Sequence, residues 1–154
     1  MAVIKTQGTA VYVYDGTAVT KLDCITGIDL GGDSTTRIDV TCLDEASSKS
    51  YVSGLSDPGE GSLTFNLDPE NSSHLAALLL AENKVEGVKF YVGASDGTGA
   101  ITLSGSAVTV PTTRSWWTFE GSLSSPVPSF EADAVVGYTV TLNRSTKVVF
   151  TAKA

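Results

Sequence analysis

The chain has 154 residues, with 10 Lys+Arg against 17 Asp+Glu and a net charge of -7, so it has the length of one domain and the wrong sign for a surface that grips phosphates. Hydrophobic residues at 42% supply a core, and charged residues at 18% are too few for a disordered chain. The 18 Ser and 19 Thr together outnumber the charged side chains, a balance that favours strands and turns.

Residues 1–6, Met1-Ala2-Val3-Ile4-Lys5-Thr6, lack a basic region, an apolar stretch and a cleavage motif, so the expectation is a protein made and kept in a cytoplasm. Alternation then predicts strands at 10–14, 18–22, 36–43, 62–67, 88–92, 101–110, 116–123, 135–142 and 146–151. Asp15-Gly16 and Asn143-Arg144-Ser145 read as hairpin turns, so neighbouring strands should run antiparallel. Cys24 and Cys42 are expected as reduced, packed thiols.

Residues 44–60 are Ser, Gly, Asp, Glu, Lys and Pro apart from Ala46, Tyr51-Val52 and Leu55, and read as a long loop, either a floppy surface segment or one that orders on a partner. A helix is predicted over 69–82, with Asp68 as its cap and Pro69 in the first turn. Its apolar run, 75–81, is too short to span a membrane and predicts a helix covered on most sides, plugging a barrel-like sandwich.

Four strands each divide into an apolar and a wet face. Ile38, Val40 and Cys42 oppose Arg37, Asp39 and Thr41; Leu63, Phe65 and Leu67 oppose Ser62, Thr64, Asn66 and Asp68. Trp117, Phe119 and Leu123 oppose Thr118, Glu120 and Ser122, while Tyr138, Val140 and Leu142 oppose Thr139 and Thr141. The wet faces are hydroxylic or acidic, with Arg37 the only cation, which suits a smooth, non-adherent wall. Trp116, adjacent to Trp117, must point to the other face and is expected as an exposed contact anchor.

Catalytic and metal patterns are weak. Gly93-Ala94-Ser95-Asp96-Gly97 has the G-x-S-x-G form, but a strand follows where the nucleophile elbow needs a helix, and the single histidine, His74, precedes it. His74 reads as structural, one turn after Glu70 in a local surface pairing. The acidic turns 29–33 and 57–60 lack EF-hand spacing. No cofactor or metal is therefore expected.

The string 41–69, from Thr41-Cys42-Leu43-Asp44-Glu45 through Tyr51-Val52-Ser53-Gly54-Leu55 to Gly61-Ser62-Leu63-Thr64-Phe65-Asn66-Leu67-Asp68-Pro69, with a short helix after it, resembles the tail tube proteins of long non-contractile-tailed bacteriophages. Trp117-Thr118-Phe119-Glu120-Gly121-Ser122-Leu123 and the closing strands to Asn143-Arg144-Ser145 are similar to the same family. The resemblance implies a mainly β fold: an antiparallel sandwich or half-barrel with one flanking helix, a single tail-tube domain over 1–154 without an appended immunoglobulin-like domain, assembling through an inter-subunit β-barrel. It implies no catalysis. Subunits would form stacked hexameric rings whose acidic lumen passes viral DNA, within a virion tail assembled in the host cytoplasm. The partners implied are further copies of the chain, a tape-measure protein, the tail tip or initiator complex and the terminator, with DNA as transient cargo and no membrane insertion. Asp39, Asp68, Glu120, Thr64, Asn66 and Thr118 are assigned to the lumen, and Asp44, Glu45, Lys49, Tyr51, Leu55, Asp57 and Glu60 to the loop joining ring to ring. The competing reading is a carbohydrate- or surface-binding β-sandwich module that uses Trp116 as its stacking platform.

Overall fold

In the computed structural model, which describes residues 3–154, alternating apolar and polar side chains carry nearly half of the chain into antiparallel β-structure, joined by one helix. In chain order the elements are β1 (Ala10–Tyr14), β2 (Val19–Leu22), β3 (Ile25–Asp29), β4 (Ser34–Asp39), β5 (Tyr51–Asp57), β6 (Glu60–Asn66), α1 (Ser72–Asn83), β7 (Val88–Gly93), β8 (Thr102–Ser104), β9 (Ala107–Thr109), β10 (Trp116–Ser129), β11 (Gly137–Arg144) and β12 (Val149–Thr151). The main sheet runs β2-β1-β7-β10-β11-β6-β3, and β12 pairs with the start of β10. β4 with β5, and β8 with β9, form two separate hairpins.

Strands β2 and β3 lie at opposite ends of the sheet, yet only Asp23 and Cys24 separate them in sequence. The sheet must therefore curl until its two edges approach, without closing into a barrel. Inside the curl lies the main core, where Phe65 and Val140 are fully buried and Phe90 stacks on Phe119 with centroids 5.1 Å apart.

Helix α1 covers the open side of this core. Asn71 caps it by accepting from the Ser73 N–H at 2.9 Å, and Lys84 ends it in a left-handed conformation. The expected cap, Asp68, instead accepts from the Glu70 N–H and closes a separate turn, so the helix starts three residues later than predicted. Its buried stripe is Ser73, His74, Ala77 and Ala81, in which the small Ser73, Ala77 and Ala81 let it approach β10 and β2 closely. Leu75 and Leu79 point outward, contrary to the expected all-round cover: in a continuous apolar run periodicity cannot say which residues are inner.

His74 is structural but not the surface partner of Glu70. Its ring is buried; Nε2 donates to the Asp23 carbonyl at 2.6 Å, Nδ1 accepts from the Asp68 N–H at 3.1 Å, and the ring lies 4.7 Å from that of Phe65. The Asp23 N–H donates to Ser73 Oγ at 3.1 Å, so two adjacent helix residues hold the link between the sheet's edges.

A second, smaller core lies on the outer side of β1, β7 and β10. Tyr12, Tyr14, Tyr91, Trp116 and Ile101 are roofed by the β8–β9 hairpin. The single strand expected at 101–110 is this hairpin, because Gly105 takes a φ of 63° and turns the chain. Trp116 is 1% exposed and its Nε1 donates to the Pro111 carbonyl at 2.8 Å, so it is a core residue and not a contact anchor. The sequence misses this because the roof comes from a segment that reads as one extended strand. Trp117 is half-buried against the main core and packs on Phe150. Both cysteines are free thiols and exposed, against the expected packing.

Candidate functional site

Two surfaces stand out, a polar wall and a projecting hairpin. The wall is the outer face of β3, β6, β11 and β10. Cross-strand register places Gly27, Thr64, Thr139 and the exposed Val127 in one row and Asp29, Ser62, Thr141 and Ser124 in the next. Glu60, Asn143 and Ser122 follow, with Asn143 Nδ2 donating to Ser124 Oγ at 2.7 Å. Alternation forces this composition, since every second residue of the same strands fills the core. At the margin Lys89 and Glu120 pair at 4.0 Å, and beyond them burial, then the charge of Glu120, pushes the Tyr91 phenol up. Short hydroxyls dominate, and the one cation on this margin is already matched by a carboxylate.

The wall ends at the outer edge of β3, which no described strand pairs. There a groove of about 530 Å³ runs between residues 6–9 with Val11 on one side and residues 25–28 on the other. Such an edge is open to another chain's strand.

The second surface is the arm, residues 34–57, a hairpin in which every residue of β4 is exposed. Its root is a close backbone crossing: a Cβ at Gly31, Gly59 or Gly61 would run into the backbone of Glu60, Gly32 or Asp29 respectively. Buried Arg144 pins this root, donating to the Leu30 carbonyl and to Asp33 Oδ1 at 2.6 Å each. At the tip the Glu45 carboxylate accepts from the Ser47 N–H and hydroxyl, which lower its pKa. Asp39 is lowered in the same way, by the Thr41 hydroxyl and then its N–H. Arg37 lies 3.8 Å over the Tyr51 ring, and Ile38 and Val52, side by side, are both exposed.

A curled sheet with open edges at β2 and β3, a wall of hydroxyls and an unsupported hairpin with exposed apolar side chains describes a subunit built for contact with other chains. The family model described as lambda-like phage tail tube matches residues 2–154. The chain belongs to this phage tail tube family. A relative, "Structural protein 3" of Pseudomonas phage PAJU2, is 35% identical over 99% of this chain and 96% of its own length. Among solved structures, the sheath/tube terminator of the PVC extracellular contractile injection system matches with a TM-score of 0.66 at 16% identity, covering 99% of each chain. The tail of the empty GTA particle matches at 0.66 with 10% identity, covering 96% of this chain and 98% of that one. The SPP1 tail tube matches at 0.65 with 9% identity, covering 97% and 79%. At these identities the matches establish a common fold. The tail tube protein is a structural component of the virion, and no helix among the described residues is long and apolar enough to cross a membrane.

The structure brings Thr64, Asn66, Thr118 and Glu120 onto one face of the tail tube sheet, on β6 and β10 with β11 between them. Asp39 lies on the arm and Asp68 in the turn before the helix, both off that face. Of the residues assigned to the loop, Asp44, Glu45 and Lys49 form the tip, Tyr51, Leu55 and Asp57 lie on β5, and Glu60 begins β6. Residues 44–60 are thus not a structureless loop. Their strand was hidden by Ser53-Gly54 breaking the alternation, and it forms because β4 supplies a partner.

The G-x-S-x-G string is a turn. Ser95 Oγ donates to the Lys5 carbonyl, and Asp96 accepts from the Ser115 hydroxyl at 2.6 Å and N–H at 3.0 Å. Beside it Arg114, buried and unforeseen, donates to the carbonyls of Ala94, Gly99, Gly8 and Gly93. The signal for both buried arginines was a cation beside an otherwise uncharged strand end. With Trp116 buried, the carbohydrate reading has no stacking platform.

Proposed function

We propose that this chain is the repeating subunit of a long, non-contractile phage tail tube, arranged as hexameric rings that stack with the wall of β3, β6, β11 and β10 toward the channel. The observation that carries the reading is that wall: four strands of short hydroxyls with no unmatched cation on the face, ending at an unpaired strand edge. Edge pairing between neighbours would extend the sheet round a ring and complete an inter-subunit barrel. The GTA tail was computed with C6 symmetry, which supports six copies per ring. The PVC and SPP1 structures, described as a tube terminator and a tail tube, support stacking with a terminator at the end.

A channel of this kind repels or ignores phosphates, since Asp29, Glu60 and Glu120 are its charges apart from the matched Lys89. DNA then passes as cargo, and a tape-measure protein occupies the lumen until it leaves. The tip complex starts the stack and the arm joins one ring to the next.

Negative-stain electron microscopy of concentrated protein tests the reading directly. Hollow six-fold tubes are expected from the full chain, and folded particles without tubes from a variant whose tip, residues 42–49, is replaced by a two-residue turn. Tubes of normal length from the tip deletion would refute the role of the arm, and solid fibres or closed dimers from the full chain would refute the tube.

A further inference from the structure

Resting on the tube reading only for what it does to assembly, we propose that the arm of a free subunit closes on the outer edge of its own β12, a latch that opens before copies join. β11 and β12 are two parts of one strand line. β7 pairs with β10 at both Trp116 and Gly121, so β12, which meets β10 at Trp116, and β11, which meets it at Gly121, lie together on the other side. β6 is the next strand outward from β11, and only Pro58-Gly59 separates it from β5. Continued straight, β5 would run along β12. The bend at the arm's root carries it away and leaves the outer edge of β12 without a partner among the described residues. Gly31, Gly32 and Gly59 lie in this joint and give its backbone the latitude that a swing needs.

The vacant edge fits the arm in hydrogen bonding, packing and charge. A two-stranded ribbon is marginally stable in water and gains order from a third strand. β4 occupies one edge of β5 and leaves free the edge that, on β6, faces β11. Register then brings apolar groups together. The Arg144 N–H donates to the Gly59 carbonyl, and from there three steps on β10, Gly121 to Thr118, match five steps from Arg144 to Val149. Carried past the two extra residues, the β6–β11 ladder sets Leu55 opposite Phe150. Leu55 is 91% and Phe150 52% exposed, and the Phe150 ring already packs on Trp117 with centroids 5.2 Å apart, so closure covers one continuous patch.

The arm is acidic, with Asp39, Asp44, Glu45 and Asp57 against Arg37 and Lys49, whereas 145–154 hold Lys147 and Lys153 and no acid. Lys153 Nζ is engaged at the Asp96 carbonyl, which leaves Lys147 as the free cation of this edge. The same register puts Asp57 against the bend that carries Lys147. Neither has an ion-pair partner among the described residues, where the pairs are Lys89–Glu120 and Arg144–Asp33.

L55C/F150C on a C24S/C42S background tests closure in the unassembled chain, and all four positions are exposed. Oxidised glutathione should convert it to an intramolecular disulfide, read as a monomer-sized band of raised mobility, because that bond needs Cβ atoms within about 4 Å. The oxidised chain should form no tubes, and reductant should restore them. Thiols that stay free, or dimers linked through them, overturn closure, and oxidised monomers that still form tubes overturn the latch. A chain that cross-links but forms no tubes after reduction supports closure and counts against the tube reading instead. Charge gives an independent measure: D57K should slow cross-linking about threefold, and K147D added to it should restore the rate. Equal rates in all three chains overturn the fit.

Discussion

His74 shows how one side chain fixes the shape of the subunit. It is the single imidazole in the chain, and with Nδ1 accepting from the Asp68 N–H its proton sits on Nε2, aimed at the Asp23 carbonyl. It therefore ties the helix entry to the link between the sheet's two edges. His74→Ala should lose about 2–4 kcal/mol of unfolding free energy, from a buried cavity and two orphaned backbone groups, read as a lower urea midpoint at unchanged slope. His74→Phe should recover the packing on Phe65 but not the two bonds, and fall between. The sequence gives the helix and the scarcity of histidine, but its acceptor is 51 positions away, a separation that no local pattern reports. At Asp96 the Ser115 hydroxyl first, and then its N–H, hold the carboxylate below its ordinary range. The folded chain thus takes up that proton less readily than the unfolded one, so the contribution is present above the ordinary carboxylate value and is lost as pH falls through the lowered one. Asp96→Asn should flatten the fall of thermal midpoint below about pH 4 and lower the midpoint at neutral pH; a parallel shift at all pH values would exclude the linkage.

At the scale of elements, the strands that the sequence announces are those with clean alternation, such as Leu63, Phe65 and their hydroxyl neighbours on β6. The strands it hides are short or broken. β3 carries a bulge where Ile25 and Gly27 face consecutive residues of β6, so Thr26 falls out of phase, and β5 reads as loop because its partner supplies the order. The arm exists as a distinct element because glycine permits its root. A Cβ at Gly61 would meet the Asp29 carbonyl head on, and neither backbone can retreat without breaking the β3–β6 ladder. Gly61→Ala should therefore cost about 3 kcal/mol or more. Gly27, on the partner strand, has open space where a Cβ would go, so Gly27→Ala should change stability by about 1 kcal/mol or less. Equal effects in chemical denaturation would show that the crossing is looser than its geometry.

For the whole molecule, the decisive asymmetry is between the two sides of one curled sheet. The inner side is sealed by core and helix, and the outer side is a hydroxyl wall with a second small core at one end. Composition foretold the wall, because hydroxyls in excess of charges on alternating strands must occupy some face, but it left open how those strands join. The proposed orientation of the wall toward a channel is testable through transport. Thr139 and Thr141 sit at its middle, in register with Thr64 and Ser62 on one neighbouring strand, and neither lies at the β3 edge or on the arm. Changing both to Lys adds two positive charges per subunit to a chain of net charge -7, and a stack of rings would place them in close rows along the channel. Phosphates passing through would then exchange counterions for fixed ammonium groups, a gain that weakens steeply with salt. The double variant should assemble normally and slow DNA ejection severalfold at low ionic strength, with the rate recovering as salt is raised. Lys placed instead at Leu75 and Leu79, on the outward side of the helix, carries the same charge away from the wall and should leave ejection unchanged. Equal slowing by the two pairs would put the wall outside the channel, and slowing by the helix pair alone would invert the subunit in the tube.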